Sequence, residues 1–113
     1  GEGTHVTAAG SNALIRREID EATIRRAAVI AVDARATALR ESGDLLPALE
    51  KGRLNEYGMT ELGELLVGMR PGRRGAADIT LFESQGMAIQ DLVLAARVVD
   101  KARTAGLGRD LPY

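Results

Sequence analysis

Val29 to Val32 reads VIAV, an unbroken apolar run, with Asp33 immediately after it. A half-exposed strand alternates apolar and polar residues, whereas a strand without polar positions has both faces covered, as in a parallel sheet layered by helices. This run constrains the fold more than any other stretch. Two more stretches have strand character. His5 to Ala9 (HVTAA) stops at Gly10, where Ser11 and Asn12 favour a tight turn, and Ile79 to Glu83 (ITLFE) is broken by Ser84, Gln85 and Gly86.

Helical patterns separate these strands. Asp20 is placed to cap a short helix over Glu21 to Ala27, its carboxylate accepting from free N–H groups of the first turn. Ala34 to Ser42 is helix-forming and Gly43 supplies a stop. Asp44 is then expected to cap a second piece over Leu45 to Lys51, with Pro47 tolerated in its first turn. Thr60 is expected to open another helix, in which Leu62, Leu65 and Leu66 form one apolar stripe that ends near Gly68. Arg70 to Ala77 (RPGRRGAA) reads as an exposed loop. Met87 to Thr104 keeps helical spacing and is expected to stop at Gly106.

Three strands alternating with helices predict an α/β layered fold with a parallel sheet. So small a sheet leaves open edges, so a homo-oligomer formed through a sheet edge or the long C-terminal helix is expected. The whole chain, residues 1–113, reads as a single domain, and its core must be aliphatic because Tyr57, Phe82 and Tyr113 are the entire aromatic set.

The net charge of -1, with both signs interspersed, offers no field to attract nucleic acid or an anionic membrane. There is no cysteine, which removes disulfides, thiolate catalysis and zinc–thiolate sites, and is compatible with a reducing interior. No apolar run approaches the roughly 18 to 20 residues that span a bilayer, and no apolar leader opens the chain, so a cytoplasmic protein is expected.

Ligands of open parallel sheets bind beyond the carboxyl ends of the strands. Here those ends carry Gly10, Ser11 and Asn12, then Asp33, then Ser84, Gln85 and Gly86. Such residues are also ordinary turn formers, and that reading stands ahead on composition alone. Three arginine pairs, Arg16 with Arg17, Arg25 with Arg26 and Arg73 with Arg74, could grip a phosphate or carboxylate, though a solvated face is the commoner role. His5 is the only histidine, so a histidine metal cluster is excluded and a structural role is expected. Glu61 and Glu64, three apart on an expected helix face, read as solvated, and Asp78, Glu83 and Asp91 show no acid/base spacing. No GxGxxG follows a strand and no GxxxxGK[ST] occurs, so neither glycine-rich phosphate cradle is present.

GTHVTAAGSNALIRREID, VIAVDARATALRESGDL, ELGELLVGMRPGR and ITLFESQGMAIQDLVLAARVV, in that order and spacing, resemble the C-terminal portion of the ornithine cyclodeaminase and mu-crystallin family, which includes alanine dehydrogenase and ketimine reductase members. The resemblance covers nearly the whole chain. It implies the second half of a Rossmann-type, doubly wound NAD(P) domain, with the last helix leading back toward a dimerisation domain. It also implies that Gly10, Ser11, Ser84 and Gly86 approach NAD or NADP, and that Asn12 stands where cyclodeaminases carry an aspartate thought to assist proton transfer. An amide orients a substrate but is no general base at neutral pH, so cyclodeaminase activity is not expected. Thr7 replaces a usual asparagine. The family's substrate-binding Arg and Lys residues and its dinucleotide fingerprint belong to a preceding portion.

Two readings follow. In the first, the chain is a fragment or truncated relative of an NAD(P)-dependent amino-acid or imine oxidoreductase, supplying the nicotinamide side of the site and inactive alone. The second is a non-catalytic, self-associating module with a relic nucleotide site.

Overall fold

A computed structural model describes residues 1–112 and leaves Tyr113 outside. The chain forms β1 (His5–Ala8), α1 (Glu21–Arg26), β2 (Ala27–Val32), α2 (Arg35–Glu41), α3 (Leu46–Glu50), β3 (Met59–Glu61), α4 (Leu62–Leu66), β4 (Ile79–Glu83) and α5 (Ala88–Thr104). The sheet is parallel throughout, in the order β1-β4-β2-β3.

The expected three strands are therefore four. Thr60 and Glu61, expected to open a helix, instead join Met59 in a strand that extends the sheet, Met59, Thr60 and Glu61 pairing with Ile30, Ala31 and Val32. Three residues are too few for a period-of-two pattern to register. The helix behind it opens instead on Glu61, whose side chain accepts from the Glu64 N–H while the Glu64 carboxylate accepts from the Glu61 N–H at 3.0 Å. That reciprocal capping box explains both glutamates structurally. Glu61 is thus not on the helix face, and Glu64 also pairs with Arg35 at 2.7 Å, tying α4 to the start of α2.

Strand alternation sorts the sheet into two faces. Ala8, Ile30, Val32, Met59 and Leu81 share one, where Ile24 of α1, Ala38 of α2, Leu45, and Ala48 of α3 bury them in a continuous aliphatic core. The other face carries the row Thr7, Phe82, Ala31 and Thr60 and is the more open, with Thr7 exposed and Phe82 half-buried. Neither α4 nor α5 has a buried residue.

Asp20 caps α1 as expected, accepting from the Thr23 N–H at 2.8 Å. Asp44 does not cap α3. The N-cap there is Leu45, without a side-chain hydrogen bond, and Asp44 is directed across the molecule. Pro47 does lie in the first turn.

The long C-terminal helix is observed with 17 residues, beginning one residue after the expected start because Met87 is its N-cap. All of its residues are exposed except Ala102, which is half-buried. The radius of gyration, 17.4 Å, exceeds the roughly 13 Å of a compact chain of this length, and the longest dimension reaches 55 Å. No helix among the described residues is long and apolar enough to cross a membrane.

Candidate functional site

Because β4 lies between β1 and β2, the polar turns that follow β1 and β4 emerge side by side, with the end of β2 next to them. Ala8 stands opposite Glu83, which stands opposite Val32, and the Ser84 N–H donates to the Ala8 carbonyl at 2.8 Å.

In the first turn the Gly10 N–H donates to the Glu18 carboxylate. The exposed Asn12 points its Oδ1 at Arg16, accepting from Nη1 at 2.7 Å. Arg17 Nη1 donates to the carbonyls of Leu14 and Arg16, so this arginine pair is used in shaping its own loop. Ser11 is fully buried: its hydroxyl accepts from the Asp44 N–H at 2.7 Å, and its carbonyl accepts from the Gly43 N–H at 3.3 Å. Asp44 Oδ1 accepts from the N–H groups of Glu18, at 2.7 Å, and Ile19, at 3.2 Å. The junction of α2 and α3 thus clamps both ends of the turn. Gly43 is obligatory there by proximity, since a Cβ would run into the Arg16 carbonyl oxygen.

The second turn is organised by Asp33. Its Oδ2 accepts from Ser84 Oγ at 2.6 Å and the Gly86 N–H at 2.9 Å, and its Oδ1 accepts from Gln90 Nε2 at 3.0 Å. Gly86 has φ +83°, a conformation that disfavours any side chain. Burial works to raise the Asp33 carboxyl, but the bonds from Ser84, Gln90 and the Gly86 and Gln85 N–H groups outweigh it and hold the group below its ordinary value.

Beneath the two turns lies a buried polar cluster of Ser11, Ser42, Asp44, Glu83 and Gln85. Glu83 is 0% exposed; its Oε1 accepts from Ser42 Oγ at 3.1 Å and Gln85 Nε2 at 3.2 Å. Burial, and then the Asp44 and Glu18 charges, push its carboxyl up to about 7 against the lowering effect of Ser42. Asp44 Oδ2, Glu83 Oε2 and Gln85 Oε1 are buried without a hydrogen-bond partner.

The structure accordingly gathers Gly10, Ser11, Asn12, Ser84 and Gly86 at one end of the sheet, but in different states. The Ser11 hydroxyl, Ser84 hydroxyl and Gly86 N–H are all engaged within the protein, whereas the Asn12 side chain stands at the surface. His5 is kept away, its Nδ1 2.8 Å from Thr80 Oγ1 on the open sheet face, where Arg73 also donates to Thr80. Arg70 and Arg74 line an open hollow at the amino ends of β2 and β3. No group of three candidate metal ligands occurs among the described residues. Asp33 lies at the strand end where it was expected, but its role as a hub has no local signature, and Glu83, which shows no acid/base spacing in the sequence, is a fully buried acid. The available signal was alternation, because Ile79, Leu81 and Glu83 must share a face and Leu81 is a core residue.

A parallel α/β sheet with its polar turns collected at the carboxyl edge defines a Rossmann-like architecture. The ornithine cyclodeaminase/mu-crystallin family profile matches residues 1–106, and the chain belongs to that family. It is 30% identical to a Delta(1)-pyrroline-2-carboxylate reductase of Bacillus cereus over 113 residues, 99% of this chain and 35% of the relative. Among solved structures it is similar to the Thermococcus litoralis Delta(1)-pyrroline-2-carboxylate reductase in complex with NADH and L-proline, with TM-score 0.86, 35% identity, and coverage of 97% of this chain and 34% of that one. An archaeal alanine dehydrogenase dimer with bound NAD matches with TM-score 0.80 and 31% identity, over 99% of this chain and 35% of that one. The chain therefore spans about a third of the length of these relatives.

Proposed function

We propose that residues 1–113 form a partial NAD(P)-binding domain of an oxidoreductase acting on an amino acid or its imine, and contribute the nicotinamide side of the site. The observation that carries this reading is the placement of the β1 and β4 turns side by side at the carboxyl edge. In it, Asn12 orients a substrate amine or carboxylate through its exposed amide. Gly10 and Ser11 set the path of the first turn, while Ser84 and Gly86 are held by Asp33 so that Gly86 brings a surface without a Cβ against the cofactor. A bound NAD(P) would accept or supply the hydride.

The residues present fit one end of such a cofactor. The Gly10 and Gly86 N–H groups are already donated to Glu18 and Asp33, so these turns do not cradle a phosphate. By itself the 113-residue chain is therefore proposed to be inactive, and to act in the cytoplasm only as part of a larger site. Calorimetric titration with NAD and with NADP, and turnover assays with a panel of amino acids and of keto acids plus ammonia, test this. Measurable turnover by the purified chain would overturn the proposed inactivity.

A second reading is favoured by α5, whose Ile89, Leu92, Val93, Leu94, Val98 and Val99 are all exposed. A helix apolar on so much of its surface is normally covered. In this reading a second copy of the chain covers α5, or pairs along the free edge of β1, independently of nucleotide. Sedimentation at several concentrations is expected to show a dimer, and a monomer at high concentration refutes it.

A further inference from the structure

Glu83 is the one fully buried carboxyl group of the β4 turn that neither proposed reading uses, and among the described residues it forms no ion pair. Its row neighbours on the sheet are Ala8 and Val32, and its hydrogen bonds are to neutral groups, Ser42 and Gln85. The charged groups facing it from other elements are both acidic: Asp44 from the α2–α3 junction and Glu18 from the first turn. The nearby guanidinium groups of Arg16 and Arg17 are directed to Asn12 and to the Leu14 and Arg16 carbonyls. Three acceptor oxygens in this cluster, on Asp44, Glu83 and Gln85, have no donor.

We propose that Glu83 is a positioning residue that carries a proton when the Gly10–Asp20 turn is closed, and that losing this proton releases the turn through Asp44. A protonated Glu83 turns one of three orphaned acceptors into a donor and removes the charge that opposes Asp44 within the buried cluster. Asp44 is then free to accept from the Glu18 and Ile19 N–H groups and so to close the turn that displays Asn12. An ionised Glu83 sets two carboxylates against each other inside a buried cluster where, among the described residues, neither forms an ion pair. The carboxylate with somewhere to go is Asp44, because Glu83 is fixed within a central strand. As Asp44 withdraws, the amides of Glu18 and Ile19 lose their acceptor and the turn opens. The ligand of this device is the proton, so Asn12 is displayed in the closed state and withdrawn as the pH rises.

The device concerns the shape of the turn and does not depend on what the turn meets, so it is tested without nucleotide. The carboxyl carbon of Glu83 is followed by NMR in the full chain while protection of the Glu18 and Ile19 amides is measured by hydrogen exchange, corrected for intrinsic rates. Glu83 is expected to titrate near neutrality, and the two protection factors are expected to fall by roughly tenfold between about pH 6 and pH 8. Glu83→Gln, which keeps the shape and a donor but cannot ionise, is expected to hold the low-pH protection throughout. Equal protection at both pH values in the native chain, or the same fall in Glu83→Gln, overturns the proposal. Should that variant not fold, Asp44→Asn removes the facing charge and is expected to move the Glu83 titration to lower pH; an unmoved titration also overturns it. Failure of nucleotide binding leaves all of these readouts unchanged, so the two readings fail separately.

Discussion

Replacing Asp33 by alanine removes the acceptor around which the second turn is built. Three donors lose their partner: Ser84 Oγ at 2.6 Å, the Gly86 N–H at 2.9 Å and Gln90 Nε2 at 3.0 Å. A hydrogen bond to a charged acceptor contributes about 1.5 to 3 kcal/mol, but Gly86 and Gln90 are exposed and water replaces much of what they lose. The expected cost is therefore about 2 to 3 kcal/mol, which for a chain of this size lowers the melting temperature by roughly 10 °C. Asp33 has a carboxyl held below its ordinary value, so its contribution is present above the unfolded value and is lost as the pH falls through the folded one. Thermal unfolding followed by circular dichroism is therefore expected to show the full gap between native and Asp33→Ala chains at about pH 7, and a narrowing gap below about pH 4. A variant melting within about 2 °C of the native chain at neutral pH, or a gap that persists undiminished in acid, refutes Asp33 as the organiser of the turn.

Glu83 gives the opposite sign: its folded carboxyl is raised to about 7, so stability is greatest in acid, declines from about pH 4.5 to about 7 and is level beyond. At about 1.4 kcal/mol per pH unit, Glu83→Gln should gain about 3 kcal/mol on the native chain at about pH 8 and almost nothing near pH 4.5, as measured by urea unfolding. Gly43→Ala should cost at least about 2 kcal/mol by the same measurement, because the new methyl meets the Arg16 backbone oxygen and not a flexible side chain. Glu64→Ala breaks the capping box and the Arg35 pair, and about 1 kcal/mol of stability should go with them; an unchanged urea midpoint would show that water and Glu61 suffice.

The difference between what could be read and what could not follows from the range of the interactions. The VIAV run, the ITLFE strand, the Asp20 cap and the long last helix rest on residues within a turn or two of one another, and periodicity reports them. Met59 to Glu61 was missed because a three-residue strand exists only through its ladder with β2. Asp44 was misread because it has the local form of a helix cap, whereas its donors, Glu18 and Ile19, lie 26 and 25 residues away.

By itself the sequence determined that the chain is a parallel α/β layer with polar turns where strands end, because apolar runs, glycines and caps act locally. The strand order was decided only by the tertiary structure. Inserting β4 between β1 and β2 is a long-range choice, made by how the Leu81 and Ile30 side chains pack with the helices, and no local pattern encodes it. That insertion brings Ser84 to Asp33 across 51 residues and Ser42 to Glu83 across 41. It also converts a glutamate with no informative spacing into a buried acid beneath the turn that carries Asn12, since the face given to Leu81 must also take Glu83.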